Sequence, residues 1–346
     1  MLRTRRLVLD MDDARPLMAM PPGIEERLRA ALTFGWEVVR IRARTSGRGD
    51  GVSDASPEAV EAVRDAEIYC GYGAPESIIR AGDCLRWVHS GTAGVSGAIT
   101  GTLRESGVVF TNSAGVHAPA VAETAIGMML HFARGFDVAV RAQAAAEWRV
   151  APFESTPGVV RELAGATLGI FGYGGIGRET ARRAAALGMN VVALRRRGGG
   201  PVADPHATVL TGRAGFDRLL AESDYLLLSA PETRETRGVI GAAALEQMKR
   251  GAVLINVARG TLVQEEALLR ALRDGALRGA ALDVFATEPL PPSSSFWRLP
   301  NVLITPHVSS FTARFWEREG DLLLENLRRY LKGQPLRNVV DVVAGY

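Results

Sequence analysis

Short apolar runs alternate with stretches of helical period along almost the whole of this chain. Over the first 112 residues the order is RRLVLDM, EERLRAALTF, EVVRIR, PEAVEAVRDA, EIYCGYG, PESIIRAG, LRWVHS and VVFTN. In EERLRAALTF and PEAVEAVRDA the apolar side chains recur three or four residues apart, whereas the intervening runs are too short for helices and apolar nearly throughout. Strands alternating with helices predict a parallel sheet covered on both faces.

A long, alanine-rich stretch, Pro119 to Phe136, then reads as one helix whose nearly all-round apolarity calls for burial against another element or another subunit. A second alternation follows. The strands are ATLGIFGYG, NVVALR, DYLLLSAP, AVLINVA, ALDVF and VLITPH; the helices between them are RETARRAAALG, FDRLLAES, AALEQM and EEALLRALRDG. FTARFWEREGDLLLENLRRYLKG closes the chain as a long amphipathic helix, before the tail QPLRNVV. The pattern predicts two α/β units in series with a returning C-terminal helix.

Composition narrows the function classes. The 346 residues suffice for two domains, and 47% hydrophobic with 23% charged residues is ordinary for a soluble protein. With 41 Lys and Arg against 38 Asp and Glu, the net charge of +3 gives no reason to expect nucleic acid. Cys70 and Cys84 are too few for a disulfide framework or a cysteine zinc site. No metal-ligand spacing links His89, His117, His131 and His206, each of which reads as a surface or packed histidine, so no metal is expected. The longest apolar stretches, such as Ala252 to Val257, break far short of a membrane span, and MLRTRRLVLDMDD lacks the apolar core of a signal peptide. A cytoplasmic protein without a membrane partner is expected.

Chemistry first appears at GYGGIG, Gly172 to Gly177, which fits G-x-G-x-x-G between an apolar strand and a helix. Gly172 permits the tight turn, Gly174 lets the backbone approach a pyrophosphate, and Gly177 allows the helix to pack on the strand. The helix N-terminus supplies oriented N–H groups to the anion. The next strand, NVVALR, ends where a dinucleotide-binding protein usually carries an acid for the ribose hydroxyls of NAD. Here that position is Arg195, followed by Arg196 and Arg197. A carboxylate would repel a 2′-phosphate, whereas guanidinium groups hold one through charge-assisted bonds, so NADP(H) is expected in preference to NAD(H).

Three later strands run into loops that each hold one functional side chain: Arg259 in INVARGTLV, Glu288 in ALDVFATEPLP and His307 in ITPHVSS. Ligands of open α/β sheets bind beyond the carboxyl ends of the strands, where these three can converge. At these residues the chain resembles the D-isomer-specific 2-hydroxyacid dehydrogenase family. The likeness rests on GYGGIG, on N-V-A-R-G at Asn256 to Gly260, on D-V-F-x-x-E-P at Asp283 to Pro289 and on T-P-H at Thr305 to His307. TNSAGVHAPAVAE and SAPETRETRGVIG extend it, so that it is specific from about Asn112 to Ser310 and only architectural before that.

The resemblance implies two doubly wound parallel-sheet domains. A Rossmann nucleotide domain, residues 113–306, would be inserted into a flavodoxin-like substrate domain made of 1–112 and 307–346. Arg259 would bind the substrate carboxylate and keto oxygen. His307 would exchange a proton with the 2-hydroxyl, and Glu288 would orient the imidazole and favour its protonated form. Backbone amides of Ala93 and Gly94 would take the other side of the substrate carboxylate. Val121, Gly175, Ile176, Pro231 and Thr236 would line the cofactor. Asp283 would meet the carboxamide end of the nicotinamide, or else cap a turn.

Trp148, Phe153, Phe311 and Trp316 could cap the pocket, although core packing is the simpler role for each. Two departures from the family, Ser96 where many relatives carry Asp and Thr124 where His is common, leave the substrate open.

The activity implied is NADP(H)-dependent interconversion of a small 2-oxo acid, of the glyoxylate or hydroxypyruvate type, with its D-2-hydroxy acid. Alternatives are a non-enzymatic dinucleotide-sensing corepressor and a phosphite-type dehydrogenase. A phosphoglycerate dehydrogenase with a regulatory domain is not expected, since nothing follows Tyr346 to build one. A C2 homodimer through the Pro119 to Phe136 helix is expected, as in relatives.

Overall fold

The computed structural model describes residues 4–32, 34–45, 50–196 and 204–345. The chain forms two compact units, one made of Met1–His117 with Phe311–Tyr346 and the other of Ala118–Ser310.

The first unit holds a parallel sheet of β1 (Arg5–Asp10), β2 (Trp36–Arg40), β3 (Ile68–Gly71), β4 (Trp87–Ser90) and β5 (Val109–Asn112). Their spatial order, β2-β1-β3-β4-β5, is the flavodoxin-like one. Successive side chains of β1 divide between two cores, as the period of a strand requires. Leu7 and Leu9 pack with Trp87 and with Ile24 and Leu28 of helix Pro22–Ala31. Val8 packs with Tyr69, Val88 and Phe110 on the other face. Helix Phe315–Leu331 completes the first of these cores through Phe315, Leu323 and Leu327.

The second unit holds β6 (Thr167–Phe171), β7 (Asn190–Arg195), β8 (Thr208–Thr211), β9 (Tyr225–Leu228), β10 (Ala252–Asn256), β11 (Leu277–Leu282) and β12 (Val302–Ile304). They pair in parallel in the order β12-β11-β10-β9-β6-β7-β8. The order reverses between β6 and β9, so the crevice of a doubly wound sheet opens at the end of β6, where GYGGIG begins. The central strands are buried along their length on both faces, which explains their unbroken apolar runs.

Several elements differ from the sequence pattern. The helix expected over Pro119 to Phe136 spans Ala118–Ala133, and Gly135 at φ +66° turns the chain before a new helix, Phe136–Ala144. β8 is an edge strand that the apolar pattern does not mark, because Thr208 and Thr211 are exposed and only Val209 and Leu210 are partly buried. β11 begins at Leu277 rather than in ALDVF. Its Gly279 lies so close to Phe132 and to the carbonyl of Asn301 that only a residue without a side chain fits, and strand propensity cannot see that contact.

The unit borders fall after His117 and after Ser310. Ser113 to His117 stay with the first unit because Ser113 N–H bonds Thr92 O, Arg318 reaches Val116 O and His117 stacks on Phe315. His307 to Ser309 stay with the second because Asp283 binds their backbone N–H groups.

Among the described residues no helix is long and apolar enough to cross a membrane, and no cluster of His, Cys, Asp and Glu is placed to hold a metal ion.

Candidate active site and dinucleotide turn

Gly172 sits in the left-handed region at φ +102°, and a Cβ there would lie 2.4 Å from Ala230 N, on the neighbouring strand exit. Its N–H bonds Leu194 O at 3.0 Å and its carbonyl accepts Ser229 Oγ at 2.7 Å, so the turn is stitched to the ends of both flanking strands. At Gly177 a Cβ would meet Gly172 O at 2.6 Å, so helix and turn are in direct contact there. Gly174 differs, with nothing within 4 Å of the same position. Helix Gly175–Ala186 starts at this open edge, and its first-turn N–H groups, those of Gly175, Ile176 and Gly177, face outward as helix geometry requires. The arrangement fits a pyrophosphate lying over Gly174.

Arg195 ends β7, half-buried and paired with Thr211 of β8; Arg196 follows, exposed. The bond from Gly172 to Leu194 places Arg195 immediately beside the glycine turn. Arg196 has company, since Thr233 and then the cations Arg196 and Arg234 hold the carboxyl of Glu235 below its ordinary range. Arg197 lies outside the described residues. Pro231 and Thr236 belong to the same loop as Glu235, with Thr236 Oγ1 bonded to Pro231 O at 2.8 Å. Val121, expected along the cofactor, is 3% exposed in the core cluster of Ile170 and Tyr173, with Ile176 packed against it.

The other three side chains leave the carboxyl ends of β10, β11 and β12, which are adjacent strands. At a strand spacing of about 4.8 Å, their loops start within roughly 10 Å of one another. Asn256, 1% exposed, shapes the first loop: its Oδ1 accepts Ala258 N at 3.0 Å and its Nδ2 donates to Arg259 O at 2.9 Å. Arg259 is half-buried, and its Nη1 donates to Ala258 O. A Cβ on Gly260 would fall 1.9 Å from Phe285 C. The arginine loop thus lies directly on the backbone that leads to Glu288.

Glu288 Oε1 accepts the N–H of Phe285 at 2.9 Å, which fixes the carboxylate, and Oε2 meets His307 Nδ1 at 2.8 Å. Both side chains remain partly exposed, 35% for Glu288 and 43% for His307. Engagement of Nδ1 leaves Nε2 as the ring nitrogen available to a ligand.

His307 has φ +55°, an unusual conformation for a residue with a side chain. Asp283 accounts for it. Its main-chain carbonyl accepts His307 N at 2.9 Å. Its carboxylate accepts Thr305 Oγ1 at 2.6 Å, Val308 N at 3.0 Å and Ser309 N at 3.1 Å. Asp283 is 1% exposed, and its carboxylate is turned onto the histidine loop. Its aspartate identity was legible, but its role depends on where β11 and β12 end.

Ala93 and Gly94 belong to the first unit, in the loop after β4, and are half-buried. Beneath that loop His89 is fully buried, bonded to Glu319 at 2.8 Å and to Thr111 at 2.9 Å, as a packed histidine. Of the four aromatic candidates, Trp316 is core at 7% exposure. Trp148 contradicts core packing at 95%, and Phe311 at 51%, because both sit on loops outside the sheet layers.

Residues 126–309 match the family model described as D-isomer specific 2-hydroxyacid dehydrogenase, NAD binding domain. The chain is 33% identical over 296 residues to glyoxylate/hydroxypyruvate reductase B of Yersinia enterocolitica, covering 84% of this chain and 88% of that protein. It is 34% identical over 267 residues to a D-3-phosphoglycerate dehydrogenase of Archaeoglobus fulgidus, covering 77% of this chain but 49% of the relative, so it spans about half that protein's length. The crystal structure of the NADPH-dependent glyoxylate/hydroxypyruvate reductase of Sinorhizobium meliloti, in complex with NADP and sulfate, superimposes with a TM-score of 0.77. It is 27% identical and covers 99% of this chain and 100% of that one.

Proposed function

The chain belongs to the D-isomer specific 2-hydroxyacid dehydrogenase family, and from that premise we propose that it is an NADP(H)-dependent reductase of small 2-oxo acids, forming D-2-hydroxy acids. The observation that carries this reading is the Glu288–His307 pair at 2.8 Å, on the strand exit two strands from Arg259.

Reduction of a 2-oxo acid requires a hydride at the carbonyl carbon and a proton at its oxygen. A reduced nicotinamide dinucleotide, its pyrophosphate held at the Gly172–Gly177 turn, would supply the hydride. Arg259 offers a planar fork to the carboxylate and keto oxygen, which fixes the carbonyl and withdraws electrons from it. His307 Nε2 donates the proton to the developing alkoxide, while Glu288 keeps the ring orientation and holds the proton at Nδ1. Asp283 acts through the histidine loop, whose backbone it holds in place. In oxidation the same residues work in reverse, with His307 Nε2 taking the hydroxyl proton.

Arg195 and Arg196 support the NADP(H) preference, with two guanidinium groups where an acid would select NAD(H). The NADP complex of the Sinorhizobium meliloti relative points the same way. The named relatives are reductases and dehydrogenases, which supports turnover over a sensing role. The substrate class follows the reductase relative, and a homodimer is part of the proposal. Initial rates with NADPH and with NADH on glyoxylate, hydroxypyruvate and phenylpyruvate test it. The expected result is a kcat/KM for NADPH at least roughly tenfold above NADH, about 1.4 kcal/mol. A preference for NADH rejects the cofactor assignment, and absence of turnover with all three acids rejects the activity.

A further inference from the structure

The loop Ser90 to Val95 contains two successive carbonyls drawn toward one place. Thr92 O accepts the backbone N–H of Ser113 at 3.1 Å, and Ala93 O accepts Nδ2 of Asn112 at 2.8 Å. Donors on both belong to the end of β5. In a planar trans peptide the C=O of one residue and the N–H of the next point in opposite directions. Capturing Thr92 O therefore turns the N–H of Ala93 away from β5, and capturing Ala93 O does the same to Gly94. Neither N–H has a partner among the described residues. Two consecutive N–H groups on one side of the chain make an anion-binding concavity.

The next peptide is held too. Thr92 Oγ1 donates to Gly94 O at 3.0 Å and is itself met by Ser90 Oγ at 2.8 Å. Ser113 Oγ donates to Ser90 O at 3.0 Å, closing the loop at its base.

Asn112 is the side chain on which this arrangement depends. It is 7% exposed, and Ala114 N–H bonds its Oδ1 at 3.2 Å, which fixes the amide so that Nδ2 and not Oδ1 faces Ala93 O. Its main chain is clamped on both sides by Asn338, through Asn112 N to Asn338 O at 3.1 Å and Asn338 Nδ2 to Asn112 O at 3.2 Å.

We propose that Asn112 is a positioning residue for a bound carboxylate: by holding Ala93 O it aims the N–H groups of Ala93 and Gly94 together at one anionic ligand. This rests on the reductase reading above, and it adds a residue that touches neither substrate nor cofactor. Ser113 contributes through its backbone, so no side-chain change there removes its bond, whereas Asn112 can be tested directly.

Asn112→Asp is the informative variant, because it keeps volume and the acceptor for Ala114 N–H but replaces the donor with an anionic oxygen facing Ala93 O. Asn112→Ala is the second. With glyoxylate and NADPH, both are expected to raise KM for glyoxylate roughly tenfold or more, the size of one hydrogen bond to a charged-ligand site. The Ki of oxalate should rise in parallel, while the Kd for NADPH, read by fluorescence, stays within about twofold and urea unfolding stays cooperative. A structural role alone would not separate the carboxylate constants from the cofactor constant. A KM and Ki unchanged in either folded variant, or losses equal for NADPH and oxalate, overturn the proposal. If the wild-type protein reduces no 2-oxo acid, the reductase reading fails by itself; oxalate binding, measured calorimetrically on wild type and Asn112→Asp, then decides this one, with equal affinities overturning it and a weakened variant sustaining it.

Discussion

Two guanidinium groups at the exit of β7 carry the cofactor assignment, and they can be removed without touching the core, since Arg195 is half-buried and Arg196 exposed. Arg195→Asp combined with Arg196→Ala should weaken NADPH by roughly 10- to 100-fold, the worth of one or two charge-assisted bonds, and leave NADH nearly unchanged. Equal losses for the two cofactors, in a titration of each, would return the arginines to a solvated loop.

Asp10 presents the opposite case, a charge with no place in the mechanism. It is 1% exposed at the end of β1, accepts Tyr69 OH at 2.7 Å on one oxygen, and has no partner on the other. Burial raises its pKa from 3.8 to about 6, against the opposing effect of the Tyr69 bond. The folded state thus binds the proton more tightly than the unfolded one, so stability falls as pH rises from about 4 to 6, and the cost persists above that. Asp10→Asn should stabilise the protein by on the order of 2–3 kcal/mol at pH 8 and by little at pH 4. Urea midpoints at the two pH values check this, and an equal change at both would show that charge is not the cause.

At the scale of elements, the site is built by loops that leave adjacent strand ends and press on one another. Gly260 is the contact point, and a methyl group there would overlap the Phe285 backbone. Gly260→Ala should cost about 1–3 kcal/mol in stability, because neither backbone can yield easily, and should lower kcat/KM through displacement of Arg259. Gly174→Ala is the complement. Nothing lies near that position, so it should unfold like the wild type in urea while losing cofactor affinity. Normal NADPH binding by Gly174→Ala would remove the pyrophosphate from that spot. Sequence pattern predicted the strands that hold these loops because each is an unbroken apolar run; β8 and the start of β11 escaped it, being short, small-residued or half-exposed.

For the whole molecule, the segment after helix Ala118–Ala133 leaves Phe136, Val140, Trp148 and Val150 exposed at 51, 57, 95 and 46%. So many large apolar side chains within one short stretch fit the proposed second copy of the chain. Wild type should sediment as a dimer, and Phe136→Glu with Val140→Glu should shift it toward monomer in analytical ultracentrifugation; a monomeric wild type would remove this part of the proposal. The sequence by itself determined the two α/β units and the glycine turn, and it pointed to Arg259, Glu288 and His307, because each depends on local period or on a short motif whose chemistry needs neighbours in the chain. Only the tertiary structure decided that Asp283 anchors the histidine loop, that the unit borders fall after His117 and Ser310, and that Asn112 holds the Ala93 carbonyl. These are contacts between the ends of strands far apart in the chain, and no pattern along the sequence records which strand ends will lie side by side.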